Sequence, residues 1–325
     1  MNGIQSALEP AGVHADRIGT LWDVFLGVSA VVYVLVLLFL AVALFRRRAR
    51  GRGNDGTDGT DGTDGTYGSK RPAYIAVSVA TGITVVILFA LLVSSIFTGR
   101  AIAYAPPAPV QVTVTGRQWW WQVDYDTKDV SKRITTANEL YIPVGVPVQV
   151  HLRSTDVIHS FWVPNLHGKQ DLIPGHDNAI LLQATRPGVY RGQCAEFCGL
   201  QHAKMALWVT ALAPADFAKW AAAQQEPSKI PSTPRQRQGQ EIFTSVSCAL
   251  CHNVQGTEAS GKVGPDLTHF ASRRSIAAGT LPNRRAELAS WILDPQHSKP
   301  GAYMPPTRLG TQDLEPLLDY LESLQ

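Results

Sequence analysis

Residues 191–205 read "RGQCAEFCGLQHAKM", which holds Cys194, Cys198, His202 and Met205 in one short run. Four arrangements would bring these side chains together. A disulfide between Cys194 and Cys198 leaves His202 and Met205 without a task. A helix would line all four along one face, but Gly199 and the strand-like neighbours weaken that reading. A zinc site takes thiolate, imidazole and carboxylate, so Met205 would stand idle. Copper electron-transfer sites use thiolate, imidazole and a weak thioether. A mononuclear site of that kind needs one cysteine, and this loop has two. Two thiolates can instead bridge two copper ions that share one electron, each ion needing an imidazole. His202 offers one. His159, in "DVIHSFWVP" and 35 positions before Cys194, is the candidate for the second, with His151, His167 and His176 as alternatives.

Around this loop the texture is that of strands. Val110, Val112 and Val114 alternate with Gln111, Thr113 and Thr115, the period of a half-buried strand. Short β-branched runs broken by Pro and Gly continue through "ELYIPVGVPVQVHLRS" and "MALWVTAL". A β-sandwich is therefore expected over 106–213. In "GRQWWWQVDY" a continuous strand would point Trp119 and Trp121 to one face and Trp120 to the other.

Further towards the N-terminus, Val24–Phe45 and Tyr74–Phe97 carry no charge. A helix of the first length measures roughly 33 Å, enough to cross a bilayer. Arg46, Arg47, Arg48, Arg50, Arg52, Lys70 and Arg71 lie between the two spans. The positive-inside rule puts that loop in the cytoplasm and both termini outside. Glu9 and Asp16 precede the first span in place of a basic leader, which argues against a cleaved signal peptide. Four "DGT" triplets from Asp55 to Thr66 read as low-complexity spacer.

Beyond the sandwich, an Ala-, Gln- and Pro-rich stretch reads as a short helix and a linker, and helical patterns follow from Arg235. Thr311 is a candidate cap for the last of them. "CALCH" at Cys248–His252 is C-x-x-C-H: two thiols spaced to add to the vinyl groups of a haem, and a histidine to reach its iron. A zinc site would want a second paired Cys or His, and His269 and His297 have no such spacing. Met304 is the methionine available as a sixth ligand, and a thioether opposite histidine raises the reduction potential. "GPDL" at Gly264–Leu267 is placed to offer a carbonyl to the second nitrogen of His252.

The segments "GRQWWWQVDY", "STDVIHSFWVPNLHGKQDLIPG" and "CAEFCGLQHAKM", after a two-span hairpin, resemble subunit II of a haem–copper cytochrome c oxidase over about residues 15–213. Residues 235–325 resemble a class I cytochrome c, so the whole looks like the fused subset of that family. The resemblance implies a binuclear CuA centre held by His159, Cys194, Cys198, His202, Met205 and the Glu196 carbonyl. It implies that the Glu196 side chain also meets Mg or Mn at the border with subunit I. It implies that Trp119 accepts incoming electrons, with plain aromatic packing as the competing role and the tethered haem leaving the role open. Ala195 and Phe197 stand where the family commonly has serine and tyrosine, and neither is a ligand position.

The fold expectation is a multidomain membrane protein: a segment and transmembrane hairpin over 1–105 (helices about 22–45 and 73–98, cytoplasmic loop 46–72), an all-β cupredoxin-like CuA domain over 106–213, a linker over 214–234, and an all-α class I cytochrome c domain over 235–325. The functional expectation is the electron-input subunit of a respiratory terminal oxidase in a bacterial inner membrane. Electrons would pass from a donor through haem c (Cys248, Cys251, with His252 and Met304 axial) and CuA to haem in subunit I, where oxygen is reduced to water and protons are translocated. The spans hold no histidine or acidic relay for that chemistry, so it belongs to a partner. Subunit I, subunit III, membrane lipid, and a cytochrome c or quinol-oxidising complex as donor are the implied partners. A net charge of +3 over 325 residues implies no nucleic acid. The competing functions are a copper-delivery protein, which would need neither Met205 nor a haem domain, and the CuA subunit of another reductase. A nitrous-oxide reductase would require more than the nine histidines present.

Overall fold

The structure is a computed structural model and describes residues 4–51, 71–104, 106–127, 129 and 132–325. The DGT triplets, and with them most of the expected 46–72 loop, lie outside the described residues.

Helices α1 (Val13–Gly51) and α2 (Arg71–Ala103) are both long and apolar enough to cross a membrane. They overrun the expected 22–45 and 73–98 at both ends. Their large apolar side chains point away from protein: Phe39 is 74% exposed and Phe89 66%. Such a surface is stable in hydrocarbon and costly in water, at about 25 cal/mol per Å² of apolar area.

The sandwich is built from β1 (Val110–Arg117), β2 (Trp120–Asp126), β3 (Ile134–Ala137), β4 (Glu139–Pro143), β5 (Val148–Ser154), β6 (His159–Trp162), β7 (Gln170–Leu172), β8 (Asn178–Leu182), β9 (Gly188–Cys194) and β10 (Ala206–Leu212). One sheet runs β3-β2-β1-β5-β8 and the other β4-β10-β9-β6-β7. Most neighbours are antiparallel, but β1 pairs β5 in parallel and β10 pairs β4 in parallel. The valine alternation does what its period requires: Val112 and Val114 are fully buried, while Thr113 is not. Trp121, Phe161, Leu140 and Leu207 meet between the sheets. Each such side chain contributes roughly 1.5–3 kcal/mol over leaving it in water.

Two local expectations change. Residues 118–119 form the turn between β1 and β2, so Trp119 belongs to a hairpin tip and not to a continuous strand. Residues 4–16, expected to go with the hairpin, group with the sandwich. The Ala11 N–H donates to Asn165 O (2.7 Å), and Ala11 O accepts from the Thr185 N–H (2.8 Å).

After β10, α3 (Pro214–Gln224) lies on the sandwich and stacks Trp220 on Tyr141 at 4.3 Å, so the first half of the expected linker is a packed helix. The C-terminal region holds α4 (Pro234–Ser245), α5 (Cys248–Cys251), the short pair β11 (Ser275–Ile276) and β12 (Leu281–Pro282), α6 (Arg285–Leu293), α7 (Pro295–Ser298) and α8 (Thr311–Leu321). Thr233 and Gln236 form a reciprocal capping box that starts α4. Gly310, not Thr311, caps α8; Thr311 is its first helical residue and no side chain makes the cap. α4 and α8 pack together through Phe243 and Tyr320, whose rings lie 5.8 Å apart.

Candidate metal and haem sites

β9 ends at Cys194, and the chain then loops through Cys198 and a short 3-10 turn at His202–Lys204 before β10 begins. No helix seam forms. The Cys194 and Cys198 sulfurs are 3.7 Å apart and both thiols are free, far beyond a disulfide bond of about 2.05 Å. His159 Nδ1 lies 3.9 Å from Cys194 Sγ, His202 Nδ1 lies 3.7 Å from Cys198 Sγ, and Met205 Sδ lies 3.9 Å from Cys198 Sγ. The Glu196 carbonyl is 3.2 Å from Cys194 Sγ. Each thiol therefore faces its own imidazole. His159, Cys194, Cys198 and Met205 are buried. The histidine alternatives lie elsewhere: His151 is beside Asp177 (3.7 Å) and His167 packs edge-on against His14.

The fold explains how His159 arrives. Strand β6 starts at that residue and pairs with β9 at Phe161 and Cys194. A Cβ on Gly116 of β1 would fall 2.7 Å from the His159 ring, so only glycine leaves the imidazole its place. Asp156, which the sequence reading missed, accepts from His159 Nε2 at 2.8 Å. That bond fixes the ring so that Nδ1 faces the sulfur. Burial alone would lower the His159 pKa, but its bonds to Cys194 and Asp156 prevail and raise it. Cys194 is held well below the ordinary thiol range, mainly by the hydrogen bond from Cys198 and then by His159. This donor set (two thiols, two imidazoles, one thioether, one carbonyl) suits a copper pair better than zinc or a single copper.

The half-exposed Glu196 carboxylate lies 3.5 Å from Lys169, which also pairs with Asp171 at 3.1 Å. Ser160 donates to the same aspartate at 2.7 Å. The hydrogen bond from Ser160, then Lys169, holds Asp171 below the usual carboxylate range.

In the helical domain, Cys248, Cys251, His252 and Met304 all line one cavity of about 320 Å³, closed by apolar groups such as Leu267, Phe270 and Trp291. His252 Nδ1 hydrogen-bonds Pro265 O at 2.7 Å, the carbonyl "GPDL" was expected to supply, and leaves Nε2 for a metal. A Cβ on Gly264 would lie 2.6 Å from the ring. Burial lowers the His252 pKa and keeps the imidazole neutral, as an iron ligand must be. The residues present fit a haem.

Trp119 connects the two sites. Its ring lines that cavity, its Nε1–H donates to the Cys198 carbonyl at 2.8 Å, and it stacks on Tyr303 with ring centres 6.1 Å apart. Tyr303 precedes Met304, and sequence gave no hint of it: its partner lies more than 180 positions away.

Residues 127–212 match the family "Cytochrome C oxidase subunit II, periplasmic domain", and residues 236–325 match "Cytochrome c". The cytochrome c oxidase subunit 2 of Alkalihalophilus pseudofirmus is 34% identical over 330 residues, covering 98% of this chain and 91% of that one. The subunit 2 of Bacillus sp. strain PS3 is 34% identical over 228 residues, covering 66% and 62%. Among solved structures, the periplasmic domain of subunit II of cytochrome oxidase from Bradyrhizobium japonicum is 28% identical with a TM-score of 0.35, covering 38% of this chain and 97% of that one. With near-complete coverage by a subunit 2 relative, and with both a copper-type donor set and a haem-type cavity in place, the chain belongs to the cytochrome c oxidase subunit 2 family, in a form that carries its own cytochrome c domain.

Proposed function

We propose that this chain is the electron-input subunit of a respiratory terminal oxidase. Cys248 and Cys251 would attach haem c, with His252 and Met304 on the iron; His159, Cys194, Cys198, His202, Met205 and the Glu196 carbonyl would hold two copper ions. Bound there, the two groups supply one-electron transfer from an external donor towards haem in a partner subunit I, where oxygen is reduced and protons are moved.

The chain's own residues prepare that chemistry. Asp156 orients His159, and Pro265 O orients His252. Apolar side chains line much of both donor sets, and His159, Cys194, Cys198 and Met205 are buried. Trp119 and Tyr303 fill the space between the cavity and the Cys198 carbonyl with a stacked pair. The observation that carries the reading is this placement of Trp119, touching both sites at once. Glu196 and Lys169, half-exposed beside the copper donors, are the groups we assign to the border with subunit I, where Glu196 would meet Mg or Mn. The uncharged runs within α1 and α2 anchor the chain in a bacterial inner membrane, with the sandwich and haem domain on the periplasmic side. Subunit III and a cytochrome c or quinol-oxidising donor complete the set of partners.

The order of reduction tests the reading. In the purified oxidase, a sub-stoichiometric pulse of reduced donor should bleach the oxidised haem c band first and the copper band afterwards. Copper reduction while haem c stays oxidised would contradict it.

A further inference from the structure

Lys299 is the most unusual side chain in the C-terminal region. It is only 3% exposed, and among the described residues no carboxylate pairs with it. A buried amine removed from water must find hydrogen-bond acceptors, so its retention calls for a specific task. Its Nζ donates to two backbone carbonyls: Trp119 O at 2.6 Å, on the sandwich, and Ala277 O at 3.2 Å, on the haem domain.

The surroundings show what those bonds hold. The residues on either side of Lys299 are gripped by the copper loop: Lys204 Nζ donates to Ser298 O and Gln201 Nε2 to Pro300 O, both at 2.6 Å. Ala277 and Ala278 both sit in the left-handed region, at φ 52° and 56°, a conformation that costs a non-glycine residue energy. This turn delivers two carbonyls. Ala277 O goes to Lys299, and Ala278 O accepts from the N–H of Ala206, next to Met205, at 3.0 Å. Lys299 therefore ties together the Trp119 backbone, the strained turn and the segment leading to Tyr303 and Met304.

We propose that Lys299 is a positioning residue that clasps the haem domain to the copper loop and fixes the Trp119–Tyr303 stack between the two sites. The inference rests on the electron-transfer reading above for its purpose. It rests for its geometry only on these contacts. A lysine serves where methionine would pack equally well because two acceptors from different domains converge on one point: an apolar side chain would take a donor from both, leaving Ala277 O only its bond from Thr280 Oγ1 at 2.7 Å.

The test compares the wild-type oxidase with Lys299→Met and Lys299→Gln, haem and copper content being checked by their spectra. Hydrogen–deuterium exchange reads the contact itself. Losing the hydrogen bonds across it should raise exchange at Ala206 and over residues 273–281 roughly tenfold in Lys299→Met, with β5 unchanged. Lys299→Gln, which keeps an uncharged amide donor, should fall between. Haem-to-copper transfer should be independent of solvent viscosity in the wild type, and both slower and viscosity-dependent in Lys299→Met, since each transfer then waits for re-docking. Wild-type exchange and viscosity independence in the variants would overturn the clasp; if Lys299→Met does not assemble, Lys299→Gln decides by the same two readouts. Absence of haem-to-copper transfer in the wild type would instead overturn the electron-transfer reading, and the exchange data would still decide the clasp.

Discussion

Asp156 shows how much of a metal site lies outside its ligands. It touches no sulfur, yet its bond to Nε2 leaves Nδ1 of His159 aimed at Cys194. Asp156→Ala should keep all the donor atoms and lower copper affinity about 10–100-fold, as measured by competition with a chelator of known strength. Unchanged affinity would show that packing alone orients the ring. Met304→Ala should leave haem attached through Cys248 and Cys251 but change its axial ligation and lower its potential; an unaltered optical spectrum and redox midpoint would place the sixth ligand elsewhere. At this scale the sequence was informative where chemistry is local. Cys194, Cys198, His202 and Met205 share one loop, and their side-chain types alone exclude most metals. Asp156, Tyr303 and Lys299 were not legible. Aspartate, tyrosine and lysine are ordinary surface residues until the fold brings their partners to them, and for Tyr303 and Lys299 those partners are some 180 positions away.

At the scale of elements, the alternating valines of β1 and the uncharged runs of α1 and α2 were readable because burial on one face or on all faces leaves a periodic signature. Three placements were not. "RQWWW" contains no turn residue, yet the chain reverses at 118–119 and lifts Trp119 out of the strand. α3 was expected as a short helix at the head of a linker, but not its attachment to the sandwich, which rests on Trp220 and Phe217. Gly310 rather than Thr311 caps α8, since backbone geometry at Gly310 already suits a cap. The turn after β6 also carries a pH-sensitive group. Burial, and then the neighbouring His14, push the His167 pKa down to about 4 against an ordinary 6.5. Between those values the unfolded chain binds the proton and the native chain does not. Stability is therefore intact above pH 6.5 and falls as pH drops towards 4, by at most about 3 kcal/mol. Unfolding midpoints across that window should decline less steeply in His167→Gln than in the wild type; equal slopes would show that other groups set the acid limit.

The whole molecule joins two membrane-length helices, a copper-type donor set and a haem-type cavity in one chain, with Trp119 touching the last two. The central claim is that two thiolates of the 191–205 loop bridge a pair of copper ions. Electron paramagnetic resonance of the oxidised, purified oxidase tests it most directly, with Cys198→Ser as the comparison. The expected result is a multi-line copper pattern from one electron shared by two ions in the wild type, lost in Cys198→Ser while the haem c band persists. A single-copper spectrum in the wild type, or a shared-electron signal that survives in Cys198→Ser, would contradict it.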